Sequence, residues 1–339
     1  MYRIDLGIDL GTSNVRIFAR DKGVVIDQPA YMAYEEKTKN IIAVGAKAKR
    51  MLGKTPEGIC VTRPIQHGVI SDYMLAERMI KALVKNALTK RKFWGRPTIC
   101  VCIPGGVTEV ERRAVEDAAV RTGAKQVFVL ESSIAAAIGA DMDIMETYGH
   151  MIVDIGGGTT DIAIISSGGL SENVSLKCGG DDFTEALIKY VRRKYNVELG
   201  EISAEEAKEA VGSVMKRKND VYTEVKGKNL LSGLPVGIKL HANETVEAFE
   251  EVTSQIIQGI NSVLEAAPPE LVNDVAREGI MLTGGGSKIA GMQKLIATKS
   301  QIKVVASEEA DSLVALGTGL AGKYIMVQEE IKKSQMEEE

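Results

Sequence analysis

What this sequence lacks narrows its function before any motif is considered. It has no excess of one charge: 42 Lys and Arg stand against 46 Asp and Glu, a net of −4. A general nucleic-acid binder carries a strong basic excess, so nucleic acid is not an expected partner. No apolar run approaches the ~18 residues of a membrane span. The start, MYRIDLGIDLG, lacks the charged-then-apolar pattern of a secretory signal. The expectation is a cytoplasmic protein whose membrane contact is peripheral. The four cysteines, Cys60, Cys100, Cys102 and Cys178, include no CxxC pair. A chain this long builds its core without disulfides, so they are expected to be reduced and mostly buried. Cys100 and Cys102 should share one face of a strand. Aromatic residues are scarce, at 4% with a single Trp, whereas glycine supplies 34 of 339 residues, above the usual ~7%. Many glycines with few aromatics point to close backbone approach at turns.

At roughly 150 residues per domain, the length predicts two domains. Ile4 to Ala19 reads strand, glycine turn, strand (IDLGIDL-GTSN-VRIFA), and Met151 to Ile165 repeats the design (MIVDI-GGGTTD-IAII). In both, an Asp ends the first strand. Asp9 and Asp154 are 145 residues apart, too far for a solenoid repeat and right for two related halves. Helical signals alternate with strands at Thr98–Ile103, Gln126–Leu130 and Ile280–Leu282, which is the pattern of an α/β fold. Thr108 with Glu111 and Ser203 with Glu206 have capping-box spacing. The first opens a stripe of Val110, Ala114, Val115, Ala118 and Ala119, and the second a helix to about Met215. Thr245–Ala267 is one long amphipathic run stopped by Pro268-Pro269. Residues 220–242 are expected to be β, and residues 328–339 a charged, frayed end.

Three glycine turns carry the chemistry. In Asp9-Leu10-Gly11-Thr12-Ser13-Asn14 and Asp154-Ile155-Gly156-Gly157-Gly158-Thr159-Thr160-Asp161, small residues let successive backbone N–H groups cradle an anion. Two such turns facing each other could clamp a polyphosphate. Asp9 and Asp154 stand where strand meets turn, suited to a hydrated Mg²⁺ that needs only one or two carboxylates. A third turn, Thr283-Gly284-Gly285-Gly286-Ser287, follows a strand. Any one of them alone could be an ordinary tight connection; three together make that reading weak.

DLGTSN, DIGGGTTD and LTGGGS, in this order, resemble the phosphate-1, phosphate-2 and adenosine motifs of the actin, sugar-kinase and heat-shock-chaperone superfamily. Within it, the chain is similar nearly end to end to the MreB family of bacterial actins, through GIDLGTSN, VGAKAKRMLGKTP, RPIQHGVISDY, VERRAVEDAA, AAAIGA, VDIGGGTTDIAIIS, AEEAKEAVG and PPELVNDVAREGIMLTGGGS. The resemblance implies two actin-like α/β domains, each with a smaller subdomain, and ATP with Mg²⁺ in the cleft between them. The first would span residues 1–145 plus a C-terminal helix at about 315–339, with its subdomain at about 33–65. The second would span 146–314, with its subdomain at about 180–245. By the same resemblance Gly11, Thr12, Ser13 and Asn14, with Gly156, Gly157, Gly158 and Thr159, contact phosphates, and Asp9 and Asp154 arrange the metal. Glu205 and Lys208 line the ribose and adenine side, or else form a solvated surface pair. The turn of Gly284, Gly285, Gly286 and Ser287 approaches the nucleoside. His67 either senses the γ-phosphate side or is a plain loop histidine.

One position departs from the family. Its members normally read Glu-Glu-Pro before the alanine-rich helix, where this chain has Glu131-Ser132-Ser133. Registering on the alanines places Ser132 at the water-positioning Glu. Serine is a poor base without an activating partner, and general-base help contributes typically ~10²–10⁴-fold. Nucleotide binding with slow hydrolysis is therefore expected, unless Glu131 swings in; Thr159 and Thr160, which help orient water in the family, are kept. The departure resembles paralogues of wall-less bacteria that serve cell shape and swimming.

Between a helix ending near Leu88 and the strand at Thr98 lies Lys90-Arg91-Lys92-Phe93-Trp94-Gly95-Arg96. Two aromatics ringed by four cations suit an anionic bilayer surface, and the family inserts a short hydrophobic loop here; packing of Phe93 and Trp94 into the core is the alternative. The expected function is an ATP-binding filament protein at the inner face of the cell membrane, with itself and paralogous filament proteins as partners. A small-molecule kinase of the same superfamily is the alternative, and it lacks a recognisable substrate insertion. A chaperone would need a peptide-binding module after Ala321.

Overall fold

The computed structural model describes residues 2–91 and 95–338. Two five-stranded sheets organise the chain, and their topologies match. In the first, strands Gln126–Glu131, Thr98–Ile103, Leu6–Leu10, Asn14–Ala19 and Gly23–Pro29 lie side by side in that order. In the second, Val304–Ala306, Ile280–Thr283, His150–Ile155, Thr160–Ser166 and Gly169–Leu176 do the same. Each sheet is a three-stranded antiparallel meander whose first strand pairs in parallel with a further strand. The repeat read from Asp9 and Asp154 is thus a repeat of sheet architecture, and the register matches too. Asp9 faces Arg16 across its hairpin and Asp154 faces Asp161 across the other.

Both hairpins are buried almost throughout because helices cover both faces of each sheet, as the unbroken apolar run in IAIIS requires. Helices Ser132–Gly139 and Leu313–Leu320 pack on one another between the sheets. Their small residues permit this: a Cβ on Gly317 would stand 1.7 Å from the carbonyl oxygen of Ala135. A core cluster at that junction joins Cys100 and Cys102 of one sheet to Ile152, Ala163 and Ile165 of the other. The two cysteines share a face as expected, and all four cysteines are free thiols, three of them buried. Two three-stranded sheets, one from Met32–Glu35, Ile41–Val44 and Ile59–Thr62, the other from Val197–Glu198, Tyr222–Asn229 and Pro235–His241, and a two-stranded sheet of Ile65–Gln66 with Val69–Ile70 complete the described architecture.

Local expectations fared unevenly. Thr108 and Glu111 close their capping box, but Val110, assigned to the buried stripe, is 78% exposed. Ser203 and Glu206 form no cap. Their helix, Glu201–Val211, is entered three residues earlier than a Ser203 cap would set, on the extended backbone of Gly200, and stops at Gly212 rather than near Met215. The run from Thr245 breaks at Phe249 into helices Ala242–Ala248 and Glu250–Ala266, because the Phe249 ring turns inward edge-on to Phe183, 5.0 Å away. Pro268 and Pro269 end that helix and start the next, Pro269–Glu278. The end expected to fray continues the helix Gly322–Glu338, and Glu329 accepts a hydrogen bond from the Tyr2 hydroxyl. Helix Tyr73–Arg91 runs past Leu88. Phe93 and Trp94 lie outside the described residues. Arg96, counted among four cations around them, donates instead to the carbonyls of Gly123 and Ala124 at 3.2 and 2.8 Å.

Candidate functional site

The tips of the two hairpins meet at the base of a cleft of about 920 Å³. Their fit is a side chain into a missing side chain. A Cβ on Gly157 would lie 2.1 Å from Ser13 Oγ, and one on Gly158 would lie 2.6 Å from Thr12 Oγ1. No residue larger than glycine fits at either position while the tips stay together. The side chains of the first turn are engaged: Thr12 accepts from the Gly68 N–H at 3.0 Å, Ser13 donates to Asp181 at 3.3 Å, and Asn14 donates to Asp27 at 2.8 Å. Thr12 accepts in this contact and keeps its own proton to donate, so its hydroxyl can join the backbone N–H groups in facing an anion.

Asp9 and Asp154 both line the cleft. Burial pushes the Asp9 carboxyl up to about 6, against the pull of Arg16 and a 3.4 Å hydrogen bond from the Cys102 thiol. Burial and then the neighbouring Asp161 push Asp154 up to about 7, although the Thr283 hydroxyl donates to it at 2.9 Å. Asp161 is raised by burial as well, and is held by the Gly105 N–H at 3.0 Å and the Thr159 hydroxyl at 3.2 Å. Arg16, whose charge favours the ionised forms of Asp9 and Asp154, is shared between Asp27 at 3.2 Å and Asp311 at 3.5 Å. These carboxylates therefore face the cleft short of positive charge.

The third turn closes the same space. Gly284 is wedged against Asp154, and a Cβ there would be 2.6 Å from the Asp154 carboxylate. Gly284, Gly285 and Gly286 line the cleft, whereas Ser287 turns its hydroxyl back onto the Gly284 carbonyl at 2.6 Å and serves the turn itself. Glu205 and Lys208 are no solvated surface pair. The Lys208 ammonium is buried and donates to Glu205 at 2.7 Å, the Gly180 carbonyl at 2.8 Å and the Thr184 hydroxyl at 3.0 Å. Its partners pull the Glu205 carboxyl below its usual value in spite of burial. His67, with a left-handed backbone (φ 45°), lines the cleft beside Gly68.

The four residues expected around the attacked phosphate are not all brought together. Ser132 lines the cleft, its hydroxyl donating to the Ile103 carbonyl at 2.9 Å, and Thr159 lines it too. Thr160 is fully buried and spends its hydroxyl on the Cys178 carbonyl at 2.8 Å. Glu131 faces another groove of about 620 Å³ with Arg112, Tyr324 and Lys332. The chain changes element between them: Glu131 ends strand Gln126–Glu131 and Ser132 begins helix Ser132–Gly139, so the two side chains leave in different directions. The sequence reading gave no role to Asp161, Arg16, Arg63 or Asp181, all in the cleft lining. Asp161 was visible within the quoted motif, and pairing the two strands would have set it opposite Asp154.

Comparison with known proteins places this geometry. A sequence model of the MreB/Mbl protein family matches residues 3–330. The cell shape-determining protein MreB of Escherichia coli is 40% identical over 329 residues, which is 96% of this chain and 95% of that protein. MreB5 of Spiroplasma citri bound to ADP superposes with a TM-score of 0.90 at 35% identity, covering 96% of this chain and 98% of the other; its AMPPNP-bound form gives 0.89. A MamK double helical filament, at 21% identity and a TM-score of 0.79 over 95% and 99% of the two chains, shares the fold.

Proposed function

Given that the chain belongs to the MreB/Mbl family, we propose that it is an actin-like cytoskeletal protein of cell shape or shape-linked motility. Its cleft binds ATP with Mg²⁺, and its protomers join head to tail into filaments. The observation that carries this reading is the interlock of Gly157 and Gly158 with Ser13 and Thr12, which points two anion-cradling turns from related halves at one ligand. Gly11 to Asn14 and Gly156 to Thr159 hold the phosphates, with Gly284 to Gly286, Glu205 and Lys208 on the nucleoside side. The expected division into residues 1–145 with 315–339, and 146–314, puts one turn in each domain.

The donor set fits the metal. Two carboxylates raised by burial and short of a cation accept a hydrated Mg²⁺ readily, and that ion prefers one or two carboxylates with phosphate oxygens and water. Among the described residues no group of three or more His, Cys, Asp or Glu could hold a metal, so the site asks for a ligand that brings oxygens of its own. Asp9 and Asp154 would hold the ion, whose contribution is to neutralise phosphate charge. Hydrolysis is slow on this reading. Ser132 can accept or donate a hydrogen bond to water but cannot take its proton, and Glu131 points out of the cleft.

Assembly is supported by an apolar hairpin tip, where Leu231 is 86% and Leu234 65% exposed. A repeated head-to-tail contact gives an open filament. Leu231→Asp with Leu234→Asp should abolish pelleting while nucleotide binding persists. Membrane attachment at the inner face through Phe93 and Trp94 belongs to the same proposal; a Phe93→Ala, Trp94→Ala variant should lose liposome co-sedimentation. Among the described residues no helix is long and apolar enough to cross a membrane. Paralogous filament proteins are further proposed partners. The small-molecule kinase alternative is not favoured, since the family match spans residues 3–330. Pelleting with electron microscopy tests the whole reading: filaments with ATP and Mg²⁺ are expected, and none under any nucleotide would overturn it.

A further inference from the structure

Across the cleft rim, side chains outside the glycine turns tie the early part of the chain to the later part. Tyr31 lies between strands Gly23–Pro29 and Met32–Glu35, and Arg63 follows strand Ile59–Thr62. Facing them, Asp181 sits in the first turn of helix Gly180–Tyr195, and Glu201 opens helix Glu201–Val211. The Arg63 guanidinium donates from Nη1 to Asp181 Oδ2 at 2.5 Å, and its Nη2 lies 3.4 Å from Glu201 Oε1. The Tyr31 hydroxyl donates to that same Oε1 at 2.6 Å, and the guanidinium stands 5.4 Å over the Tyr31 ring, a stacked cation–π position. Asp181 reaches further inward. Its Oδ1 accepts from the Ser13 hydroxyl at 3.3 Å, and its backbone N–H donates to the Gly157 carbonyl at 2.7 Å. One aspartate thus touches both phosphate turns and the arginine at the rim.

We propose that Tyr31, Arg63, Asp181 and Glu201 form a latch that sets how fast nucleotide leaves the cleft. The inference rests on the nucleotide reading above and adds its regulation. A ligand gripped by both turns escapes only when the turns part, and parting them must break the Arg63 and Tyr31 links. The side chains of Arg63 and Asp181 are 19% and 24% exposed, so a severed link leaves a partly desolvated charge without its partner. Truncating such a pair acts mainly on dissociation rather than association. Arg63, Tyr31 and Glu201 lie outside the phosphate turns, so changing them removes no proposed phosphate donor.

The test uses the full chain loaded with N-methylanthraniloyl-ATP and Mg²⁺, chased with excess ATP. Arg63→Ala should raise the dissociation rate by about tenfold or more, equivalent to ~1.4 kcal/mol. Arg63→Lys should fall between wild type and Ala, because a point charge replaces the fork but not its second contact. Glu201→Gln, which removes the charge behind both contacts to its Oε1, and Tyr31→Phe, which removes one hydrogen bond, leave no hole; each should raise the rate a few-fold, and they carry the test if Arg63→Ala does not fold. Combining Arg63→Ala with Glu201→Gln should add less than the product of the single effects, since the two share one contact. Dissociation within about twofold of wild type in these variants would overturn the latch and leave the nucleotide reading standing. A wild-type chain that takes up no labelled ATP would overturn that reading, and the latch with it.

Discussion

The two hairpins have the same strand pairing and the same leading aspartate, yet their tips and their cross-strand neighbours are opposites. The first tip, Gly11 to Asn14, carries side chains; the second, Gly156 to Gly158, carries none, and it is Ser13 and Thr12 that fill the space over Gly157 and Gly158. Across the hairpin Asp9 faces Arg16, whereas Asp154 faces Asp161. Gly157 and Gly158 are thus a demand of closure, quite apart from the phosphate approach proposed for them, and the charge is unbalanced on the second side. A duplicated fold has kept its geometry while its two halves took complementary parts.

Breaking that fit should have the largest effect. Gly157→Val puts methyl groups where Ser13 sits and should weaken ATP binding by about 100-fold or more, ~2.7 kcal/mol, with helical content by circular dichroism retained. Gly157→Ala should do less, and Ser13→Gly in the same chain should restore part of the affinity; no restoration would mean the two tips do not compete for that space. Next comes Ser132→Glu. Supplying a carboxylate on the cleft side of the helix start should raise phosphate release by roughly 10²-fold, the lower end of general-base assistance; equal, rapid rates in wild type and variant would remove the slow-hydrolysis account.

The aspartates should separate stability from function. Asp154→Asn removes a buried charge set beside Asp161, so the nucleotide-free protein should melt a few degrees higher, by about 1 kcal/mol, while the Mg²⁺ dependence of ATP binding collapses. Asp9→Asn should lose the same dependence with a smaller gain in melting temperature, because Arg16 already favours the Asp9 charge. A smaller effect follows from pH. Both folded carboxyls are raised above their ordinary value, to about 6 and about 7. In that window the folded state binds more protons than the unfolded one, so these two groups contribute stability below the ordinary carboxylate range that is lost as pH rises through about 7. The metal needs the ionised form, so Mg²⁺-dependent affinity should rise with pH from 6 to 7, by up to about tenfold per pH unit for each proton displaced, and level off above.

The sheets, the hairpins and the three turns were legible because they are written locally, in alternation, glycine and a terminal Asp. Helix limits were less so: at Ser203 a plausible cap lost to the extended backbone of Gly200, and at Phe249 an inward ring broke a run that looked continuous. The rim was not legible at all. Arg63 and Asp181 are 118 residues apart, and nothing in either neighbourhood announces the other. Glu131 and Ser132 show a finer limit, since adjacent residues that both seemed available to the phosphate end up facing different cavities.

The central claim is that two facing turns clamp a polyphosphate, and calorimetric titration of the full chain with Mg²⁺ and ATP, ADP or AMP tests it most directly. Affinity should fall stepwise as phosphates are removed, with AMP at least about 100-fold weaker than ATP. AMP binding as tightly as ATP would contradict the clamp.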